Sequence, residues 1–309
     1  MPIIRFRTIV VAAVVCVLIA GASTMSMAQA YKGADGCKMC HQFKNKPIVE
    51  GHAKTAHAKA LQDAAKNPAA IVAVFEANAP IKKEQIKYVL GTGRVYQGYI
   101  GADMKTLPAE WNVKEKKWVA TSAVDAAKQC IGCHVTGYDA AKATWAEDGV
   151  RCEACHGPGM AHASSGDKTK ILNPKSLAPD KKAMLCGQCH SKGTDTTKTY
   201  AFPVNYKAGE DLSKYFIAAN SATAGRNQQY SELKGSKHFA NGVVCVTCHE
   251  PHGAGTTEPF QLRKPIIDTC LECHAVKDMK THAPSAPAGS TCATCHMPGA
   301  RHTFKKPGA

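Results

Sequence analysis

The segment Cys130-Ile-Gly-Cys133-His134 and the later segment Cys152-Glu-Ala-Cys155-His156 set the architecture of this chain. Both have the pattern Cys-x-x-Cys-His. Two intervening residues place both sulfur atoms on one face of a helical turn, directly before the histidine. In this arrangement the thiols form thioether bonds with the vinyl groups of a haem, and the histidine becomes an axial ligand of its iron. The two segments therefore predict two covalently attached c-type haems.

The same pattern occurs seven times in the chain of 309 residues. The predicted attachment residues are Cys37, Cys40, Cys130, Cys133, Cys152, Cys155, Cys186, Cys189, Cys245, Cys248, Cys270, Cys273, Cys292 and Cys295. The predicted proximal iron ligands are His41, His134, His156, His190, His249, His274 and His296. Paired cysteines could instead bind zinc or form disulfides, but neither use requires a histidine after every pair. We therefore predict seven covalently attached haems c.

The number of other histidines equals the number of motifs. The predicted distal ligands are His52, His57, His162, His238, His252, His282 and His302. A lone histidine is often only a surface residue, but none is in excess here. His252 follows His249 by three residues, which span at most about 10.5 Å, so both cannot bind one iron from opposite sides. His252 should therefore serve a neighbouring haem, and most haems should have two histidine ligands.

Aromatic residues make up only 6% of the chain. Such a composition gives little apolar side-chain volume, so we expect the porphyrins to form much of the interior and the apoprotein to be largely unfolded. The predicted fold is mainly α-helical with much irregular coil around the haems. Helices are predicted over residues 55–65, 69–77 and 81–90, and one small β-hairpin over 95–100 and 111–119.

The predicted domains divide the mature chain by haem number. Residues 31–200 form a four-haem region and residues 201–309 a three-haem region, and the Thr/Ser/Lys-rich segment 191–200 is typical of a linker.

Residues 1–30 have the pattern of a secretory signal. Arg5 and Arg7 precede an apolar run over 9–20, and Ala28-Gln29-Ala30 is a small-residue cleavage site. The apolar run is shorter than the about 20 residues that span a bilayer. We therefore predict export to the periplasm, or beyond it to the cell exterior, without a permanent membrane anchor.

The formal net charge of +15 does not indicate nucleic-acid binding here. A ferric haem with two ionised propionates adds about −1, so much of the lysine excess balances propionates. Exposed lysines such as Lys116 and Lys117 could instead steer acidic redox proteins, which are the predicted partners.

Residues 31–190 resemble the tetrahaem cytochrome c-554 family of ammonia-oxidising bacteria. The matching segments are Cys37–His41, Thr55–Ala60, Cys130–Tyr138 and Gly149–Gly159. The resemblance implies stacked haem pairs, with His57 as the distal ligand opposite His156 and His162 opposite His41. It also implies a five-coordinate haem at His134, although the additional histidine His52 could close that position.

Three functions fit these features. The first, which we favour, is electron transfer along closely packed haems between a donor and an acceptor, without catalysis. The second is oxidation or reduction of a small nitrogen or oxygen species at an open haem on His134, with His52 as a proton donor. The third is a self-associating assembly in which a histidine binds a haem of the next subunit.

Overall fold

The computed structural model describes residues 30–219, 226–276 and 278–305. The predicted signal falls outside these residues except for Ala30. Within the described ranges, no helix combines the length and the apolar character that a membrane crossing requires.

The helices are short and mostly isolated. The α-helices are α1 (Ala34–Lys44), α2 (Lys46–Lys54), α3 (Ala126–Gln129), α4 (Ile131–His134), α5 (Cys152–His156), α6 (Met160–Ser165), α7 (Pro179–Gly187), α8 (Gln229–Lys234), α9 (Lys237–Ala240), α10 (Cys245–Cys248), α11 (Ile266–Leu271), α12 (Met279–His282) and α13 (Cys292–His296). Single 3-10 turns lie at His57–Lys59, Pro68–Ala70, Lys83–Gln85, Lys168–Lys170, Pro174–Ser176, Leu212–Lys214, Pro259–Gln261 and Pro298–Ala300. Every Cys-x-x-Cys-His motif lies in one of the α-helices or at its end, as the sulfur spacing requires.

Apart from α1, the helices that carry the motifs end at the histidine or before it. Gly157 follows α5 with φ 74°, a left-handed conformation that ordinary residues avoid. Pro158 and Gly159 then turn the chain into α6, which carries His162. The turn thus directs the second histidine away from the first.

An antiparallel five-stranded sheet lies between the first and second motifs. Its strands are β1 (Leu61–Asp63), β2 (Tyr88–Leu90), β3 (Tyr96–Ile100), β4 (Ala109–Asn112) and β5 (Lys117–Ala120), joined in sequence order. The predicted single hairpin is therefore wrong, because segment 111–119 contains two strands and a turn, with Trp111 opposite Trp118. The predicted helices over 55–65, 69–77 and 81–90 are also wrong. β1 and β2 replace part of the first and the third, and only the 3-10 turn Pro68–Ala70 lies at the start of the second.

The sheet was missed because both of its faces are covered. Val89 and Tyr99 belong to a buried cluster on one face, which includes Trp111. Leu61 and Ile100 face the other way and pack on Ile131 of α4. A strand buried on both faces shows no apolar–polar alternation, so its sequence resembles that of a buried helix. This part of the interior consists of protein side chains.

Two small sheets complete the fold. β6 (Val135–Thr136) pairs with β7 (Glu147–Asp148), and β8 (Gly193–Asp195) pairs with β9 (Phe216–Ala218). Segment 191–200 is therefore a paired strand and a turn instead of a linker. A third buried cluster contains Ala183, Phe216 and Tyr230, and so includes side chains from both sides of residue 200. The domain boundary at that position stays a prediction.

Candidate haem-binding sites

Histidine rings face one another in six pairs. The pairs are His41–His162, His57–His190, His156–His252, His238–His274, His249–His302 and His282–His296. Their ring centroids are 5.8 to 6.2 Å apart. Two imidazoles that bind one metal ion from opposite sides should be about 6 Å apart, because metal–nitrogen bonds are about 2 Å long. The side chains therefore fit an iron between each pair.

The pairs join residues far apart in the sequence and settle which histidines face each other. His162 faces His41, as the resemblance implied. His57, however, faces His190, and the ring opposite His156 is that of His252. The pairing that the resemblance implied for His57 is therefore wrong. As expected from chain length, His252 does not face His249.

Most of these imidazoles are oriented through Nδ1. The Nδ1 atoms of His134, His156 and His249 lie 2.9 Å from the carbonyl oxygens of Ala60, Leu172 and Phe260, respectively. His162 and His296 make the same contact at 3.0 Å, with the carbonyls of Asp167 and Lys305. A proton held on Nδ1 leaves Nε2 free to bind iron and fixes the plane of the ring.

Burial keeps several of these rings uncharged. It lowers the pKa of His57 to about 4, and it also lowers the pKa values of His134, His156 and His190. A protonated imidazole cannot bind iron, so burial favours the ligand form at neutral pH.

Within the part of the chain that the structure describes, His134 is the motif histidine whose ring no other histidine ring faces. Among the described residues, no histidine ring contacts that of His134, whereas each of the other six motif histidines has a partner ring. His52 is likewise outside the six pairs. It lies near the backbone of Val150 and near Arg151 and His252, and burial lowers its pKa to about 4. The structure therefore does not bring His52 to the position opposite His134.

The thiols of different motifs approach one another and show the order of the motifs in space. Among the described residues, the sulfur atoms of four pairs from different motifs lie next to each other: Cys37–Cys152, Cys133–Cys189, Cys186–Cys245 and Cys270–Cys292. Cys155 also interacts electrostatically with Cys189, and Cys248 with Cys273. Naming each motif by its histidine, the order is His41, His156, His190, His249, His274 and His296. The His134 motif branches from the His190 motif.

Sequence analysis did not identify Glu153, which lies inside the motif of His156. Its carboxylate is 2% exposed and accepts hydrogen bonds from the backbone N–H groups of Lys32, Gly33 and Gly159. It thus fixes the segment before α1 to the loop after α5. The feature of the sequence that could have indicated this role is the charged residue between two attachment cysteines.

Comparisons with known proteins agree with these sites. Residues 97–157 match the family described as cytochrome c554 and c-prime, and residues 237–279 match the doubled CXXCH motif. The chain is 30% identical to the multiheme cytochrome MtrA of Shewanella baltica over 156 residues, which are 44% of this chain and 46% of that protein. It is 25% identical to the dissimilatory sulfite reductase MccA of Wolinella succinogenes over 172 residues, 48% of this chain and 22% of that protein. The chain thus spans less than half the length of these two relatives.

The fold is similar to that of the outer cell wall cytochrome OcwA. The TM-score is 0.68 at 24% identity, over 89% of this chain and 80% of that one. Together with the motifs and the paired imidazoles, these similarities define the class. The chain is a multihaem c-type cytochrome.

Proposed function

We propose that this protein is an exported cytochrome with seven haems c that transfers electrons between redox proteins. The observation that carries the proposal is the set of six histidine pairs, all at nearly the same separation, together with the continuous contact between attachment motifs. Haem supplies reversible one-electron chemistry. Two imidazoles on each of the six irons held by a histidine pair would exclude exogenous ligands and keep the change in geometry between oxidation states small.

The protein chain determines how the haems are arranged relative to one another. Cys37 lies beside Cys152, and Cys186 beside Cys245, so the fold places neighbouring attachment motifs next to each other. Electron tunnelling falls off exponentially with distance, so motifs in contact favour transfer from one to the next. The order of motifs described above gives a route with the His41 motif at one end and the His296 motif at the other.

The test combines composition and kinetics. Mass spectrometry should find seven thioether-bound haems, and stopped-flow reduction by dithionite should reduce all of them without a slow residual fraction. Fewer haems, or a haem population that stays oxidised after the others have reacted, would contradict the proposal.

A second candidate function is supported by a separate observation. Among the described residues, no imidazole ring faces that of His134. An open position there would allow a small nitrogen or oxygen species to bind. Electron paramagnetic resonance should then show one high-spin iron, and cyanide should bind with a stoichiometry of one per protein. A wholly low-spin spectrum would eliminate this candidate and leave electron transfer.

A further inference from the structure

A groove with a volume of about 780 Å³ runs between α1 and α2. Phe43, Val49 and Ala53 supply apolar lining, and Lys38, Lys46 and Lys54 supply positive charge. Phe43 is 80% exposed, and Met39 on the same helix is 67% exposed. Exposed aromatic residues in a concave surface are typical of protein interfaces, where they act as anchors.

The exposure of this surface is independent of the haem that α1 would carry. At about 100° per residue, Cys37, Cys40 and His41 occupy one side of α1, whereas Met39 points about 150° and Phe43 about 110° away from the middle of that side. A haem attached to the cysteines therefore leaves Phe43 uncovered. The helix separates the groove from the attachment side by about one helix diameter, 10–12 Å.

The charge of the groove indicates which kind of partner can bind there. Its lining includes one carboxylate, Glu50, which lies 3.8 Å from the Nζ of Lys46, and Lys54 adds a further positive charge. Lys38 forms an ion pair at 3.1 Å with Asp35, which is not part of the groove lining. Two copies of this lysine-rich groove would repel each other, whereas a surface with an apolar centre and surrounding carboxylates complements both features.

We propose that this groove is the docking site of an acidic electron-transfer protein, which inserts an apolar side chain beside Phe43 and pairs its carboxylates with the surrounding lysines. The proposal rests on the proposed function, because the His41 motif must be an end of the electron route for docking there to matter.

The test uses the holoprotein and a reduced ferredoxin of net negative charge as the probe donor. Stopped-flow absorbance gives the second-order rate constant of haem reduction. Lys46→Glu with Lys54→Glu should lower it about tenfold and weaken its dependence on salt. Phe43→Ser should lower it about threefold or more at every salt concentration, because an apolar contact is lost.

The matched control is Lys82→Glu with Lys83→Glu, which changes the net charge equally at two exposed positions before β2. This variant should reduce the rate at most about twofold. Equal slowing by both double variants, or a wild-type rate in the groove variants, would overturn the docking site. Dithionite should reduce every variant as it does the wild type, and a failure there would instead count against the electron route.

Sedimentation tests whether the groove instead binds a second copy of this chain. If the wild type is a dimer that Phe43→Ser dissociates, the groove binds a second copy of this chain, and the proposed acidic partner is excluded. A monomer at all concentrations, with rates that depend on Phe43, supports the proposal.

Discussion

The imidazole ring of His57 stands nearly perpendicular to that of His190, at an interplanar angle of 85° and a centroid distance of 6.0 Å. The pairs His156–His252 and His249–His302 are much closer to parallel, at 30° and 29°. The ring of His190 and the backbone of His57 are each held by a hydrogen bond. His190 Nδ1 lies 3.1 Å from Gln229 Oε1, and the His57 carbonyl accepts the backbone N–H of Val150 at 2.8 Å. These bonds fix the positions of the two residues relative to the surrounding chain.

His57→Met should identify the haem that this pair binds. Perpendicular ligand planes leave the iron d orbitals nearly degenerate, so this haem should give the most anisotropic low-spin signal in the electron paramagnetic resonance spectrum. The substitution should remove that signal and raise the potential of one haem, because methionine is a weaker donor to ferric iron than histidine. His52→Ala is the matched control, since His52 faces no other histidine, and it should leave the number of low-spin signals unchanged. Loss of a low-spin signal in His52→Ala instead would show that the observed pairing is wrong.

Two substitutions of Gln229 should shift the reduction potential of one haem in opposite directions. Gln229→Leu removes the acceptor for His190 Nδ1–H and makes the imidazole a poorer donor to iron, so the potential of that haem should rise. Gln229→Glu provides a charged acceptor, so the potential should fall. Voltammetry of the two variants should show one haem shifting in opposite directions while the others change little. Shifts of the same sign would mean that the hydrogen bond does not orient or polarise His190.

The attachment residues could be predicted from sequence because the covalent chemistry is local. Cys152, Cys155 and His156 must lie on one helical turn to bind a single haem, and no distant residue changes that requirement. The distal pairing could not be derived in this way. Whether His57 faces His156 or His190 depends on how α5, α7 and the turn at His57 pack, and the spacing of the histidines does not contain that information.

The fold was predictable only where propensity and packing agreed. Segment 81–90 favours a helix by composition, but Val89 and Leu90 are drawn to opposite faces of a sheet that is buried on both sides. Tertiary packing therefore overrides the local preference. The low aromatic content predicted a haem-filled interior, but it did not show that Trp111 and Trp118 are concentrated in one cluster, with ring centroids 5.3 Å apart.

Glu153→Ala should weaken the contact between the segment before α1 and the loop after α5. It leaves the backbone N–H groups of Lys32, Gly33 and Gly159 without their acceptor, and we expect a loss of about 3 kcal/mol in unfolding free energy. Glu153→Gln keeps one acceptor oxygen and should lose less than half of that. Thermal unfolding gives the difference, and hydrogen exchange at residues 32–36 shows whether the loss is local. Unchanged protection of these amides in Glu153→Ala would contradict the assigned role.

Glu147 gives the protein a predictable dependence on pH. Its Oε1 accepts the N–H of Ala34 at 2.8 Å, whereas its Oε2 is buried without a hydrogen-bond partner. Burial raises the pKa of this carboxyl above the usual 4.5, and the charges of Glu153 and Asp35 act in the same direction. The Ala34 N–H group and Arg151 oppose the shift without cancelling it.

The sign of the effect on stability follows from the two protonation states. Above pH 4.5 the unfolded chain releases this proton more readily than the folded chain, so ionisation of Glu147 favours unfolding as the pH rises. Glu147→Gln has no such proton and keeps an oxygen acceptor for Ala34. The melting temperature of the wild type relative to this variant should therefore be highest near pH 4 and should fall toward about pH 7. Melting curves at both pH values provide the measurement. A difference that stays constant with pH, or that grows in favour of the wild type, would mean that Glu147 is stabilised as a carboxylate in the folded protein.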